Sequence, residues 1–142
     1  MNIGMIGVGA ALAFAAIGSA LGAGSAGMAA VGAWKKCFVQ NRPAPFMLIA
    51  FVGAPLTQTI YGFILMQALS GAAETADPGL IFGAGILGGI AMGFSAWFQG
   101  KAGAVASDAL AETGEGFGNF IMVLGLVETV ALFVMVFLLG VV

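Results

Sequence analysis

Four long apolar runs, separated by short polar connections, leave this chain few folds to choose from. They extend from about Ile3 to Trp34, Phe46 to Leu69, Gly79 to Val105 and Phe117 to Val142. Crossing a bilayer takes about 20 apolar residues at a rise of ~1.5 Å each, so every run is long enough to span. None alternates with a period of two. Because backbone groups in hydrocarbon must be satisfied internally, the runs predict four transmembrane helices and not barrel strands. Composition agrees, since 61% of the 142 residues are hydrophobic and only 7% charged, too few charges for a soluble domain. The expected fold is an all-α membrane protein embedded in a lipid bilayer.

The start, Met1-Asn2-Ile3, lacks a basic region, and the apolar run behind it is too long for a signal peptide. It is therefore expected to persist as the first transmembrane helix. A single cysteine, Cys37, excludes an internal disulfide and is expected to be an inert loop residue. With no histidine, the usual transition-metal sites are unsupported. The net charge of −2 comes without a basic patch, so no nucleic-acid partner is expected.

Three of the four basic residues, Lys35, Lys36 and Arg42, fall between the first two runs. The excess of basic residues predicts a cytoplasmic loop over Lys35–Pro45, with Trp34 at the membrane interface and Pro43 and Pro45 separating the helices. An even number of spans then puts both termini and the linker Glu74-Thr75-Ala76-Asp77-Pro78 on the non-cytoplasmic side. The last loop, with Asp108, Glu112 and Glu115, returns to the cytoplasm.

An offset of 70 residues, from Gln58 to Glu128, lays Leu56-Thr57-Gln58-Thr59-Ile60 on Leu126-Val127-Glu128-Thr129-Val130 and Phe63 on Phe133. The chain reads as two tandem fused helical hairpins, residues 1–72 without a carboxylate and residues 73–142 with one, repeated in the same orientation. In each, the first helix is rich in small residues: Gly18, Gly22 and the Ser19/Ala23/Gly27 series in one, Gly85, Gly89, Gly83, Gly88 and Gly93 in the other. Small residues at such spacing let helix backbones approach closely. The first and third helices are therefore expected inside, the bulkier second and fourth facing lipid.

Glu128 lies in the middle of an apolar run that continues to Val142. A charge at the bilayer centre costs about 3 kcal/mol or more, so an acid there marks a functional position. The other polar residues at membrane depth are Thr57, Gln58, Tyr61, Gln99 and Lys101. Tyr61 shares a helical face with Gln58, three residues away. Pro55 has no N–H, which frees a carbonyl near Phe51 and loosens the helix around Ala54. Together these offer a carboxylate, two amide oxygens, a hydroxyl and a free carbonyl. Hard cations favour oxygen ligands, and one negative charge matches a monovalent ion. Read singly, each amide serves equally well as a hydrogen bond between helices, worth about 0.6 kcal/mol; as a set beside a lone carboxylate they favour a cation site. Lys101 lies on a different face from Gln99 and is expected to snorkel to the interface instead of pairing with Glu128.

Three segments in order, Pro55-Leu56-Thr57-Gln58 with Tyr61-Gly62-Phe63, Phe98-Gln99-Gly100-Lys101, and Val127-Glu128-Thr129, carry a resemblance over essentially the whole chain. With the duplicated hairpin, it resembles the rotor-ring proteolipid (the K-ring or c-ring type) of V-type ATPases in its bacterial four-helix form. The resemblance implies a homo-oligomeric ring in the plasma or inner membrane, turning during ATP-driven rotation against a stator subunit whose arginine faces Glu128. It also implies a central-stalk subunit docked on the cytoplasmic loops, and no ATP chemistry in the proteolipid itself. In sodium-translocating members, residues matching Glu128, Gln99, Gln58 and Thr57 hold Na+, with a backbone carbonyl at the position of Ala54. A tyrosine matching Tyr61 supports the glutamate, and Pro55 and Thr129 are the neighbours expected to support the site. The sodium-type pattern has Leu where this chain has Ala54, a change that spares a backbone ligand but bears on its shielding from water. One charge crossing 100 mV carries ~2.3 kcal/mol, and one carboxylate per four helices halves the ions per turn, which favours ATP-driven pumping over synthesis.

The nearest alternative is a ring that translocates protons, since a carboxylate can carry H+ with fewer oxygen ligands. A small multidrug antiporter also has four helices and one membrane glutamate, but there the acid lies in the first helix and no hairpin is duplicated. A purely structural membrane assembly protein is the remaining class.

Overall fold

The computed structural model describes residues 3–142. Helix α1 spans Gly4–Val39, and the second crossing is built from α2 (Leu48–Gly53), a 3-10 turn (Ala54–Leu56) and α3 (Thr57–Ala72). Helix α4 spans Pro78–Thr113 and α5 spans Phe117–Leu139. All four crossings are long and apolar enough to traverse a membrane, and no strand occurs among the described residues.

Two helices outrun the apolar segments that predicted them. The expected loop over Lys35–Pro45 is helical as far as Val39, and α4 continues past Val105 to Thr113. Lys35, Lys36, Asp108 and Glu112 are therefore helical, and Cys37 is a buried helix residue and not a loop residue. Each helix has 36 residues, roughly 54 Å at the standard rise, against a hydrocarbon core of about 30 Å. The chain leaves α1 through Asn41 at a positive φ of 52° and the prolines beyond it. Gly114, at φ 72°, closes α4 in the left-handed conformation that glycine tolerates best. At its start, α4 has Pro78 in its first turn and the Asp77 carboxylate accepting the N–H groups of Gly79 and Leu80 at 2.9 and 3.0 Å, a cap for otherwise orphaned donors.

The extended ends of α1 and α4 lie side by side. Lys36 pairs with Glu112 at 3.5 Å, Arg42 donates to the Glu112 carbonyl at 3.3 Å, and the Cys37 thiol lies 3.8 Å from the Ala111 carbonyl. Trp34 Nε1 donates to the Pro45 carbonyl at 2.7 Å, which ties the connecting loop back to α1.

Small residues decide the packing. The backbone of Gly18 lies against that of Gly93, Gly7 against Gly85, and Gly22 against Ala96 and Gly100, so closely that a Cβ at these glycines would strike main chain. The inner pair expected from the glycine spacing is thus α1 with α4, running parallel. The second crossing packs outside α1, with Gly62 against Ala11 and Ala15. Helix α5 packs outside α4 and buries only Leu124, Ala131 and Met135. Two apolar cores result. One gathers Ala11, Ala15, Leu65, Leu69, Ile81, Met92 and Ala131. The other gathers Ala30, Leu48, Phe51, Ala106, Leu110 and Leu124, with Phe117 and Phe120 around the Phe51 ring. A polar layer separates the two.

Candidate cation site

The polar layer forms where the second crossing narrows. Pro55 is buried, and because it lacks an N–H the helix tightens there into the 3-10 turn Ala54–Leu56. The expected loosening is therefore a tightening, and the carbonyl it presents to a side chain is that of Ala54. The Thr57 hydroxyl lies 3.0 Å from that carbonyl and 3.1 Å from Gln58 Oε1.

From Gln58 the network crosses to α4 and then to α5. Gln58 Nε2 donates to Gln99 Oε1 at 2.9 Å and to the Ser95 hydroxyl at 3.4 Å. Gln99 Nε2 donates to the Glu128 carboxylate at 3.0 Å and to the Leu124 carbonyl at 2.9 Å. Both amides are fully buried, where unpaired polar groups are costly, and each is engaged at both ends. The Tyr61 hydroxyl donates to the other oxygen of Glu128 at 2.7 Å. Glu128 itself is half-buried between α3, α4 and α5, beside the exposed apolar side chains of Leu126 and Val130. The carboxylate faces the outer surface of the bundle.

The structure thus joins Ala54, Thr57, Gln58, Tyr61, Gln99 and Glu128 in one hydrogen-bonded layer. Thr129 stands apart from it, its hydroxyl donating to the Leu126 carbonyl of its own helix at 2.6 Å. Lys101 is exposed, with its ammonium 4.3 Å from the centre of the Trp97 ring and 5.2 Å from that of Phe98; its contacts are aromatic faces, not Glu128. Ser95 is a member that the polar residues of the sequence did not single out. Its hydroxyl donates to the Val127 carbonyl at 2.9 Å and accepts from Gln58. The available signal is its place one helical turn before Gln99 on the same face.

Chemically, the layer holds one carboxylate among neutral oxygens. An ionised carboxylate offers about four lone-pair directions, and the Tyr61 and Gln99 donors use two of them. Gln99 presents its N–H to Glu128 and its oxygen to Gln58. Turning that amide over would present its oxygen to the carboxylate in place of the N–H.

Residues 82–139, most of α4 and all of α5, match the family of the ATP synthase C proteolipid. The chain is also similar to A-type ATP synthase subunit K of Methanocaldococcus jannaschii, with 34% identity over 132 residues. That alignment covers 92% of this chain and 57% of the relative, so the chain spans little more than half of the relative's length.

Proposed function

We propose that this chain, whose residues 82–139 match the ATP synthase C proteolipid family, is a rotor-ring proteolipid of an A/V-type ATPase that carries Na+ across the membrane on Glu128. The observation that carries the reading is the buried layer linking Glu128 to the oxygens of Gln99, Gln58, Thr57 and Ala54. A monovalent cation bound there neutralises Glu128. The loaded site can then face lipid, which an unpaired charge does only at high cost. The proteolipid performs no ATP chemistry; it holds the ion and the partner subunits supply the drive.

Several features support a ring of copies. A Cβ at Gly9, Gly24 and Gly32 on α1 or at Gly83 on α4 would meet no atom among the described residues, which leaves close-packing surface for an adjacent copy. Glu128 at the outer surface suits a site that passes a stator, where an arginine would face the emptied carboxylate. Lys35, Lys36 and Arg42 cluster at the extended end of the bundle, which supports a cytoplasmic position for that end and the non-cytoplasmic side for both termini. The same extended end, with Glu112 and Glu115, is where a central-stalk subunit would dock.

Proton carriage is the second reading, supported by Gln99 turning its N–H and not its oxygen to Glu128. Reaction of Glu128 with a hydrophobic carbodiimide, followed at fixed pH with and without sodium, separates the two. Sodium carriage requires that the salt slow the labelling while potassium or choline at equal ionic strength does not. Equal labelling in all three overturns sodium and leaves the proton.

A further inference from the structure

One buried hydroxyl in the seam between α1 and its neighbours has no partner. Ser19 is 2% exposed, and its Oγ makes no hydrogen bond. Two other hydroxyls on the inner helices turn back on their own backbone, Ser25 to the Leu21 carbonyl at 2.8 Å and Ser107 to the Gly103 carbonyl at 2.9 Å, and Ser95 reaches the Val127 carbonyl. Buried polar groups are paired with few exceptions, so an unengaged one calls for a partner in another arrangement of its surroundings.

The helix contacts say which partner. Ala15 packs on Gly62 and Gly22 packs on Pro55, an antiparallel register that sets Ser19 opposite Gln58. On the other side Gly18 meets Gly93 and Gly22 meets Ala96, which sets Ser19 level with Ser95. Glu128 lies on α5, which packs on α3 and α4, so Ser19 and Glu128 flank the polar layer from opposite sides.

We infer that Ser19 is a positioning residue for the cation site, accepting the Gln58 side-chain N–H when the site is loaded. The inference rests on the cation reading above. With no ion, Gln58 places its N–H on the Gln99 oxygen and Gln99 places its own on Glu128. Facing the Gln99 oxygen to a cation beside Glu128 breaks the first of these bonds, because turning that amide over sets its own NH2 against the Gln58 N–H. The freed N–H stays buried and needs an acceptor. Ser95 already accepts the other hydrogen of the same Gln58 amide at 3.4 Å, and a side-chain amide has two hydrogens to place. Ser19 is the hydroxyl at that depth with nothing else to do.

Membranes carrying the assembled complex test this through the sodium concentration that half-protects Glu128 from carbodiimide. Ser19→Ala and Ser19→Gly should each raise it about fivefold, the change that one lost hydrogen bond brings. Both should leave the labelling rate and its pH profile in sodium-free buffer as in the parent. A merely structural defect would instead speed labelling at every sodium concentration. If sodium protects the parent and both variants at the same concentration, the role of Ser19 is overturned while the cation site stands. If sodium does not protect the parent, the cation reading itself fails and this inference with it. If neither variant assembles a ring, Ser19 serves packing and the inference is likewise overturned.

Discussion

Tyr61 donates to Glu128 across 2.7 Å, from the outer crossing of the first hairpin to the outer helix of the second. The bond ties α3 to α5 at the carboxylate of the polar layer. A hydrogen bond to an ionised group contributes about 1.5–3 kcal/mol. Tyr61→Phe keeps the ring and removes the donor. The half-protecting sodium concentration is expected to rise about tenfold or more, read from carbodiimide labelling, while the ring still assembles.

Glu128→Gln removes the charge and keeps the shape. The Tyr61 and Gln99 donors then meet a neutral amide, and nothing remains to carry a cation. Ion transport by the reconstituted complex is expected to fall to background, with the ring still present by native mass spectrometry. Transport at the parental rate would sink every reading in which this acid carries the ion.

Gln99 has three partners on two helices, Gln58 on α3 and Leu124 and Glu128 on α5. Gln99→Leu leaves the Leu124 carbonyl, the Glu128 carboxylate and the Gln58 N–H each short of one bond in a buried layer. Leaving such groups unpaired costs about 1–3 kcal/mol apiece, so sodium protection should be lost altogether and the solubilised ring should melt earlier. Lys101→Ala is the matched control. The ammonium rests on Trp97 and Phe98, away from the carboxylate, and the half-protecting sodium concentration should stay within about twofold, the scale of a surface contact.

The membrane class, the four crossings and the amide, acid, phenol and threonine members of the polar layer are legible in the sequence because hydrocarbon penalises exceptions. An amide or acid at membrane depth is conspicuous, and the 70-residue offset from Gln58 to Glu128 ties the halves together. The helix ends are not legible in the same way. Lysine, glutamate and alanine propagate a helix well in water, so α1 continues through Lys35 and Lys36 to Val39. Polarity marks where lipid stops, not where the helix stops. Ser95 and Ser19 escape notice because a serine in a membrane helix is cheap, commonly bonding its own backbone. Whether Gln99 turns its N–H or its oxygen to Glu128 depends on the Leu124 carbonyl beside it, which no linear pattern reveals.

The inner pair of helices sets how rigidly the layer is held, and two glycines test it. At Gly18 an added methyl group would strike the Gly93 backbone, whereas at Gly24 it would meet nothing inside the chain. Backbone cannot swing aside as a side chain can, so Gly18→Ala has to push α1 away from α4, at about 1–3 kcal/mol or more. Gly18 also adjoins Ser19 and lies one turn from Gly22, which packs on Pro55, so the displacement reaches the turn that aims the Ala54 carbonyl. Gly18→Ala should therefore lower the melting temperature of the solubilised protein and weaken sodium protection together. Gly24→Ala should leave the thermal stability of an isolated protomer unchanged. If it instead lowers the yield of assembled rings, Gly24 faces a neighbouring copy; if Gly18→Ala changes neither quantity, the close approach of α1 to α4 does not support the site.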